Sequence, residues 1–168
     1  MKNIKLFLIP SVLFLILFSI LFISLTSSKQ NYIEPSYFPS FEMSDLNGKT
    51  INNDFLFAGE YKIMNVWATW CVNCKLEHGF LMSLKESQIK IIGLNYKDNK
   101  LKAKKWLDQY GNPYWISIFD PDGNLGMELG VSGAPETYLL NKENEIIQKH
   151  IGIIDSNIWN KKFKNLIQ

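Results

Sequence analysis

Tyr61-Lys62-Ile63-Met64-Asn65-Val66-Trp67-Ala68-Thr69-Trp70-Cys71-Val72-Asn73-Cys74-Lys75-Leu76-Glu77-His78, residues 61–78, is the stretch on which the reading of this chain turns. Ile63 to Trp67 is a short apolar and aromatic run without Pro and without clean alternation, the pattern of a buried strand. The run breaks at Ala68-Thr69-Trp70, and the only two cysteines of the chain follow at once as Cys71-Val72-Asn73-Cys74. Beyond them Leu76, Phe80 and Leu84 recur every four residues, which predicts one face of a helix. The order is strand, tight turn, Cys-x-x-Cys, helix.

That order gives the cysteines a chemistry. Cys71 falls at the N-terminus of the predicted helix, where free backbone N–H groups and the positive end of the macrodipole favour a thiolate. Thiolates so placed have pKa values of about 3.5–7.5, against about 8.5 for free cysteine. The two residues between them put Cys74 within disulfide reach but deeper, so Cys71 is read as the attacking sulfur and Cys74 as the resolving one. Three plainer readings are weaker. A structural disulfide would close only a very short loop, contributing roughly 2 kcal/mol where a 100-residue loop contributes about 4.7. A zinc site needs four ligands, and beyond Cys71, Cys74, His78 and the distant His150 the sequence holds no second Cys-x-x-Cys. Covalent haem attachment requires His directly after the second Cys, and Lys75 stands there. No metal and no cofactor are expected.

A length of 168 residues accommodates one domain with an appendage, and 46% apolar with 14% aromatic content supplies a core and argues against disorder. A net charge of +2 excludes a strongly basic nucleic-acid binder. All eighteen basic residues are Lys, so the chain has no guanidinium fork for phosphate or carboxylate.

Leu6 to Leu25 is a run of twenty residues without a charge. As a helix it would span about 30 Å, the thickness of a bilayer's hydrocarbon core. Lys2 and Lys5 precede it, which by the positive-inside rule leaves the N-terminus in the cytoplasm and carries the rest across. Residues 1–30 are therefore read as an uncleaved single-pass anchor. A cleaved signal peptide fits less well: its apolar region is usually about 7–15 residues, and Ser24-Leu25-Thr26 is a poor Ala-x-Ala-like site. Residues 31–40, with Pro35 and Pro39, read as a linker, and 41–168 as the catalytic domain.

Within that domain Phe41–Leu46 and Thr50–Ile51 read as a hairpin about Asn47-Gly48-Lys49. Ile89–Asn95 is a second buried strand, reached from the first by a parallel crossover. Ala103, Trp106, Leu107 and Tyr110 mark a helix over 98–111 that stops at Gly111, with Lys100, Lys104 and Lys105 on its solvated side. A strand at 115–119, a turn at 120–123 and a helical turn or two at 125–129 follow, then strands ending at Leu140 and spanning 145–151. Asp155 or Ser156 caps a last helix whose inward face holds Trp159, Phe163, Leu166 and Ile167. His78 is read as a surface residue, and Trp67 and Trp70 as packing rather than chemistry. Pro135, at the start of a strand, suits an edge or a special turn, and by base rate alone its peptide bond would be trans.

Several stretches together resemble the thioredoxin-like superfamily and, within it, the DsbE/CcmG thiol:disulfide oxidoreductases of cytochrome c maturation. They are residues 64–78, Gly93-Leu94-Asn95-Tyr96-Lys97-Asp98, Gly111-Asn112-Pro113-Tyr114, and Gly130-Val131-Ser132-Gly133-Ala134-Pro135-Glu136-Thr137. The resemblance implies a thioredoxin-like α/β fold, a central mixed sheet flanked by helices, behind an N-terminal transmembrane helix. It implies that Pro135 is a cis-proline facing the Cys71–Cys74 disulfide, that the backbone of Ala134 pairs with an extended client, and that Trp70 flanks the sulfur. It implies too that Glu77 and Glu136 are the acids of the site. One departure is visible: the family usually has Pro after the first Cys, where Val72 stands here, and residues at that place tune the redox potential.

The activity so implied is disulfide reduction without a cofactor. It would take place on the periplasmic side of a bacterial inner membrane, on apocytochrome c or another disulfide-containing client. A membrane thiol-electron donor of the DsbD/CcdA kind would re-reduce the protein. The rival readings are a reductase of the same fold serving another client, such as a copper-site assembly protein, and a membrane-tethered binding or chaperone module without redox turnover. Nucleic acid is not an expected partner.

Overall fold

In the computed structural model, residues 4–26, 36–56, 59–87 and 89–167 are described, and the chain divides into two units, Met1–Tyr32 and Ile33–Gln168. The first unit contributes helix α1, Ile4–Thr26, 23 residues long. Ser19 sits in it without an unmet donor, because its hydroxyl bonds the Leu15 carbonyl at 2.7 Å. Side chains of α1 are described from 9 to 21. Among the described residues no helix is long and apolar enough to cross a membrane.

The second unit is built on strand β4, Lys62–Trp67, in which every residue is buried. A strand covered on both faces has no polar side to show, which is why the sequence there does not alternate. β5 (Lys90–Tyr96) lies parallel to it, Ile63 opposite Ile91, and β6 (Ile116–Asp120) lies parallel to β5. On the other side β7 (Glu136–Leu140) is antiparallel to β4, β8 (Glu145–Ile151) antiparallel to β7, and β1 (Ser36–Tyr37) antiparallel to β8. The sheet order is β1-β8-β7-β4-β5-β6, mixed, as expected. A separate hairpin, β2 (Glu42–Ser44) and β3 (Thr50–Asn52), reaches β6 through a bridge between Asp45 and Ile118. The short helix α2 (Asn53–Leu56) follows it.

Helices α3 (Val72–Glu86), α4 (Lys100–Tyr110) and α6 (Ser156–Lys162) cover one face of the sheet. Leu81, Leu84, Ala103, Leu107, Trp159 and Phe163 pack there against Ile63, Trp67, Ile91 and Leu139, and both cysteines belong to this core. Met64, Val66, Ile92, Leu94, Tyr138 and Leu140 point to the opposite face, closed by Ile51 and by Leu125 of α5 (Asn124–Glu128). A 3-10 turn at Lys164–Leu166 ends the described fold.

One boundary and one helix face differ from the sequence reading. β1 adds a strand to the main sheet and Phe38 is buried in its second core, so residues 36–40 belong to the domain rather than to a linker over 31–40. Residues 27–35, where the rest of the linker and the end of the anchor reading fall, lie outside the described residues. The buried face of α3 is also rotated from the predicted one. It carries Cys74, Glu77, His78, Leu81 and Leu84, whereas Leu76 is exposed.

Candidate active site

β4 ends at Trp67, and the chain turns through Ala68-Thr69-Trp70 into α3. Cys71 is the N-cap of that helix: its backbone is extended (φ −87, ψ 106) and its sulfur accepts the backbone N–H of Cys74 at 3.0 Å. A sulfur in that position takes one of the helix's otherwise unpaired amide protons and lies at the positive end of the dipole. Cys71 and Cys74 form a disulfide with Cα atoms 5.3 Å apart. Cys71 is the more exposed of the two, at 7% against 2%, and exposed Trp70 and Val72 flank it.

Asp98, after β5, holds the turn that delivers Cys71. Its carboxylate accepts the Thr69 amide and the Thr69 hydroxyl, each at 2.6 Å, the Asn95 side-chain amide at 2.9 Å and the Asn99 amide at 2.7 Å. The indole N–H of Trp70 donates to the carbonyl of Lys97 at 3.0 Å. Trp70, next to Cys71 in the chain, is half-exposed and held by that bond, while Trp67 is core packing against Trp106 and Tyr114.

Glu77 lies one turn beyond Cys74 and is 1% exposed. Its Oε1 accepts the side-chain amide of Asn65 at 2.7 Å, and its Oε2 accepts the backbone N–H of Ile154 at 2.9 Å. Burial pushes its carboxyl up to about 7, against the pull of the N–H donors from Ile154 and Asn65. A carboxylate poised there exchanges a proton readily near neutral pH. His78 is not the surface residue expected from its type. It is buried, edge-on to Trp106, with Nε2 at 3.2 Å from the Tyr110 carbonyl and 3.1 Å from that of Gly111. Carbonyls only accept, so Nε2 carries the proton; burial pushes the pKa of His78 down despite those two carbonyls, and the ring is neutral.

The peptide bond between Ala134 and Pro135 is cis, as the resemblance implied and base rates did not. Ala134 packs against the core that contains both cysteines. Glu136, which follows, goes elsewhere. It pairs in register with Val66, so it points to the face of the sheet opposite Asn65 and Glu77. There it is fully buried and accepts from the Ser132 amide (2.7 Å) and hydroxyl, the Gly133 amide (3.3 Å) and the Tyr138 hydroxyl (2.6 Å), with Lys149 at 3.0 Å. Burial acts to raise its pKa, but the bonds from Ser132, Tyr138 and Lys149 outweigh it and hold the carboxyl below its usual range. Of the two acids, Glu77 shares the cysteines' face, and Glu136 ties down the loop that presents the cis-proline.

The residues that hold the site but were not singled out from sequence are Asn65, Asp98 and Tyr114. Asn65 carried a usable signal: a polar side chain inside a strand buried on both faces must find partners.

Known proteins match this arrangement. The Redoxin family matches residues 34–167. The thiol:disulfide interchange protein DsbE of Yersinia pestis is 40% identical over 169 residues, covering 94% of this chain and 89% of that protein. The chain belongs to the DsbE family. The DsbE of Vibrio cholerae serotype O1 is 46% identical over 132 residues, 77% of this chain and 71% of its own length. Among solved structures, a DsbF homologue from Corynebacterium diphtheriae superimposes with a TM-score of 0.67 at 21% identity, over 76% of this chain and 85% of that one, a likeness that establishes the thioredoxin-like fold. With a family of thiol:disulfide interchange proteins and a Cys-x-x-Cys pair oxidised at a helix N-cap, this chain is a thiol-disulfide oxidoreductase.

Proposed function

We propose that the protein is a membrane-anchored reductant of client disulfides on the periplasmic side of a bacterial inner membrane, and that its client is apocytochrome c before haem is attached. The observation that carries the reaction is the N-cap sulfur of Cys71 receiving the Cys74 amide, with a buried carboxylate one turn further on the same helix face. The reduced Cys71 thiolate attacks one sulfur of the client disulfide; a Cys71–client bond forms and the client's other sulfur leaves as thiolate, to be protonated. Cys74 then gives its proton to Glu77 and attacks Cys71 Sγ. The second client sulfur leaves, the Cys71–Cys74 disulfide forms, and two electrons have passed to the client. A membrane thiol-electron donor resets the pair.

Cis Pro135, the backbone of Ala134 and Trp70 would seat the client strand. Glu136 acts on this surface at one remove, by fixing the loop from Ser132 to Pro135. Membership of the DsbE family and the resemblance of residues 130–137 support the client assignment. The uncharged run of Leu6–Leu25 behind Lys2 and Lys5 supports the anchor and its orientation.

The full chain carrying Cys74→Ser, expressed in cells that mature c-type cytochromes, tests the reading. Its Cys71 is expected to accumulate as a mixed disulfide with apocytochrome c, recovered by non-reducing capture and mass spectrometry. Adducts confined to other proteins, such as copper-site assembly factors, would replace the client. No adduct at all would overturn the order of attack.

A further inference from the structure

Tyr114 and Asn65 form a chain of hydrogen bonds that ends on Glu77. The Tyr114 hydroxyl donates to Asn65 Oδ1 at 2.9 Å, and Asn65 Nδ2 donates to Glu77 Oε1 at 2.7 Å and, at 3.3 Å, to the Thr137 hydroxyl. An amide presents a carbonyl on one side and an N–H2 on the other. With the phenol donating to the carbonyl, the N–H2 side of Asn65 is the one that faces Glu77. We infer that Tyr114 is a positioning residue for the proton step: by fixing the Asn65 amide with its N–H toward Glu77, it favours the carboxylate that accepts the Cys74 proton. This rests on the reading of Glu77 as that acceptor.

The rest of the fold holds Tyr114 in place. Its ring stacks on Trp67 at 5.3 Å, and its amide bonds the Asn112 side chain at 2.9 Å. It lies over Gly93, where a Cβ would come within 2.9 Å of Tyr114 Cγ, so β5 carries no side chain under the ring. His78 grips the carbonyls at the start of the same segment, Tyr110 and Gly111. α3 thus carries one end of the relay at Glu77 and, through the adjacent His78, holds the start of the segment that leads to Tyr114.

Apart from Glu77 itself, no charged side chain is in the relay. The ionisable groups on the elements around Glu77 are otherwise engaged. From α3, His78 faces Trp106 and the α4 carbonyls, and Lys75 bonds the Tyr110 hydroxyl at 3.1 Å. From β8 and α6, His150 lies against the Ile153 carbonyl and Lys162 against His150. Asp155 caps α6 through Ile158, and Glu136 of β7 points through the opposite face of the sheet. Burial and the two N–H donors therefore set the proton affinity of Glu77.

The test follows the second chemical step by pH. The reduced full-length protein in detergent is mixed with glutathione disulfide, and decay of the Cys71–glutathione adduct is measured by quenched mass spectrometry from pH 5 to 9. The wild type is expected to show an acidic limb that Glu77→Gln lacks. In Tyr114→Phe the unanchored amide turns its carbonyl toward the protonated carboxyl, so the limb moves up by about one pH unit while the plateau rate stays within about twofold. Asn65→Ala removes the donor outright and is expected to move the limb the same way, which keeps the test open if the Phe variant folds poorly. A structural role alone would lower stability and leave the midpoint in place. An unmoved midpoint in either variant, with Glu77→Gln still lacking the limb, overturns the inference and leaves Glu77 as acceptor. A limb that persists in Glu77→Gln overturns both.

Discussion

Cys71→Ser is expected to lower disulfide reduction by at least roughly a thousandfold, while Cys74→Ser keeps the first attack and stalls after it. The asymmetry follows from the helix start. Only Cys71 occupies the N-cap, where its sulfur receives the Cys74 amide at 3.0 Å, and it is the more exposed of the two cysteines. A serine hydroxyl there would make the same cap but stay un-ionised at neutral pH, and exchange proceeds through the thiolate. Cys74 is 2% exposed and meets an incoming disulfide only after Cys71 has bound it. Turnover of a model disulfide peptide by the two variants, with single-turnover adduct formation measured alongside, checks this. Equal single-turnover adduct formation in both would remove the distinction between attacking and resolving sulfur. A Cys71→Ser protein that sustained full maturation of c-type cytochromes in cells would support the non-redox binding module instead.

The second large effect is on stability. Glu77 has a folded pKa of about 7 against an ordinary 4.5. Between those values the folded protein holds a proton that the unfolded chain has lost, so stability falls as pH rises through that window and is flat above it. The span corresponds to about 3 kcal/mol at about 1.36 kcal/mol per unit. His78 acts in the opposite sense: its lowered folded pKa makes stability rise with pH up to its ordinary 6.5. Glu136, also lowered, contributes above its ordinary 4.5 and is lost below it. The Glu77 share is therefore isolated as a difference. Urea unfolding of the oxidised wild type and of Glu77→Gln at pH 4.5 and pH 8 is expected to show the wild type losing about 3 kcal/mol relative to the variant across that range. A difference independent of pH would mean that the buried carboxyl titrates normally.

The strand-turn-dithiol-helix order was legible because each part has a local cause. An unalternating run makes a doubly covered strand, and a Cys after a break makes an N-cap. The inward face of α3 was misread for an equally plain reason. Spacing of four residues turns a helix by about 400°, so Leu76, Phe80 and Leu84 drift by about 40° at each step rather than sharing a stripe. The i, i+3, i+4, i+7, i+10 spacing of Cys74, Glu77, His78, Leu81 and Leu84 is the stripe that is buried. It was hidden because two of its members are polar, and what makes their burial tolerable comes from far along the chain: Ile154 for Glu77, Tyr110 and Gly111 for His78. Glu136 shows the complementary limit. Its place next to Pro135 was plain from sequence, but the face of the sheet it points to depends on the register of β7 against β4, which pairs it with Val66.

The central claim is that the chain's placement of Cys71 makes it the sulfur that reacts. Limited alkylation of the reduced protein tests it most directly: iodoacetamide in substoichiometric amount at pH 6.5, followed by peptide mass mapping. The structure predicts modification at Cys71 with Cys74 left free. Equal labelling of the two cysteines, or labelling of Cys74 first, would contradict it.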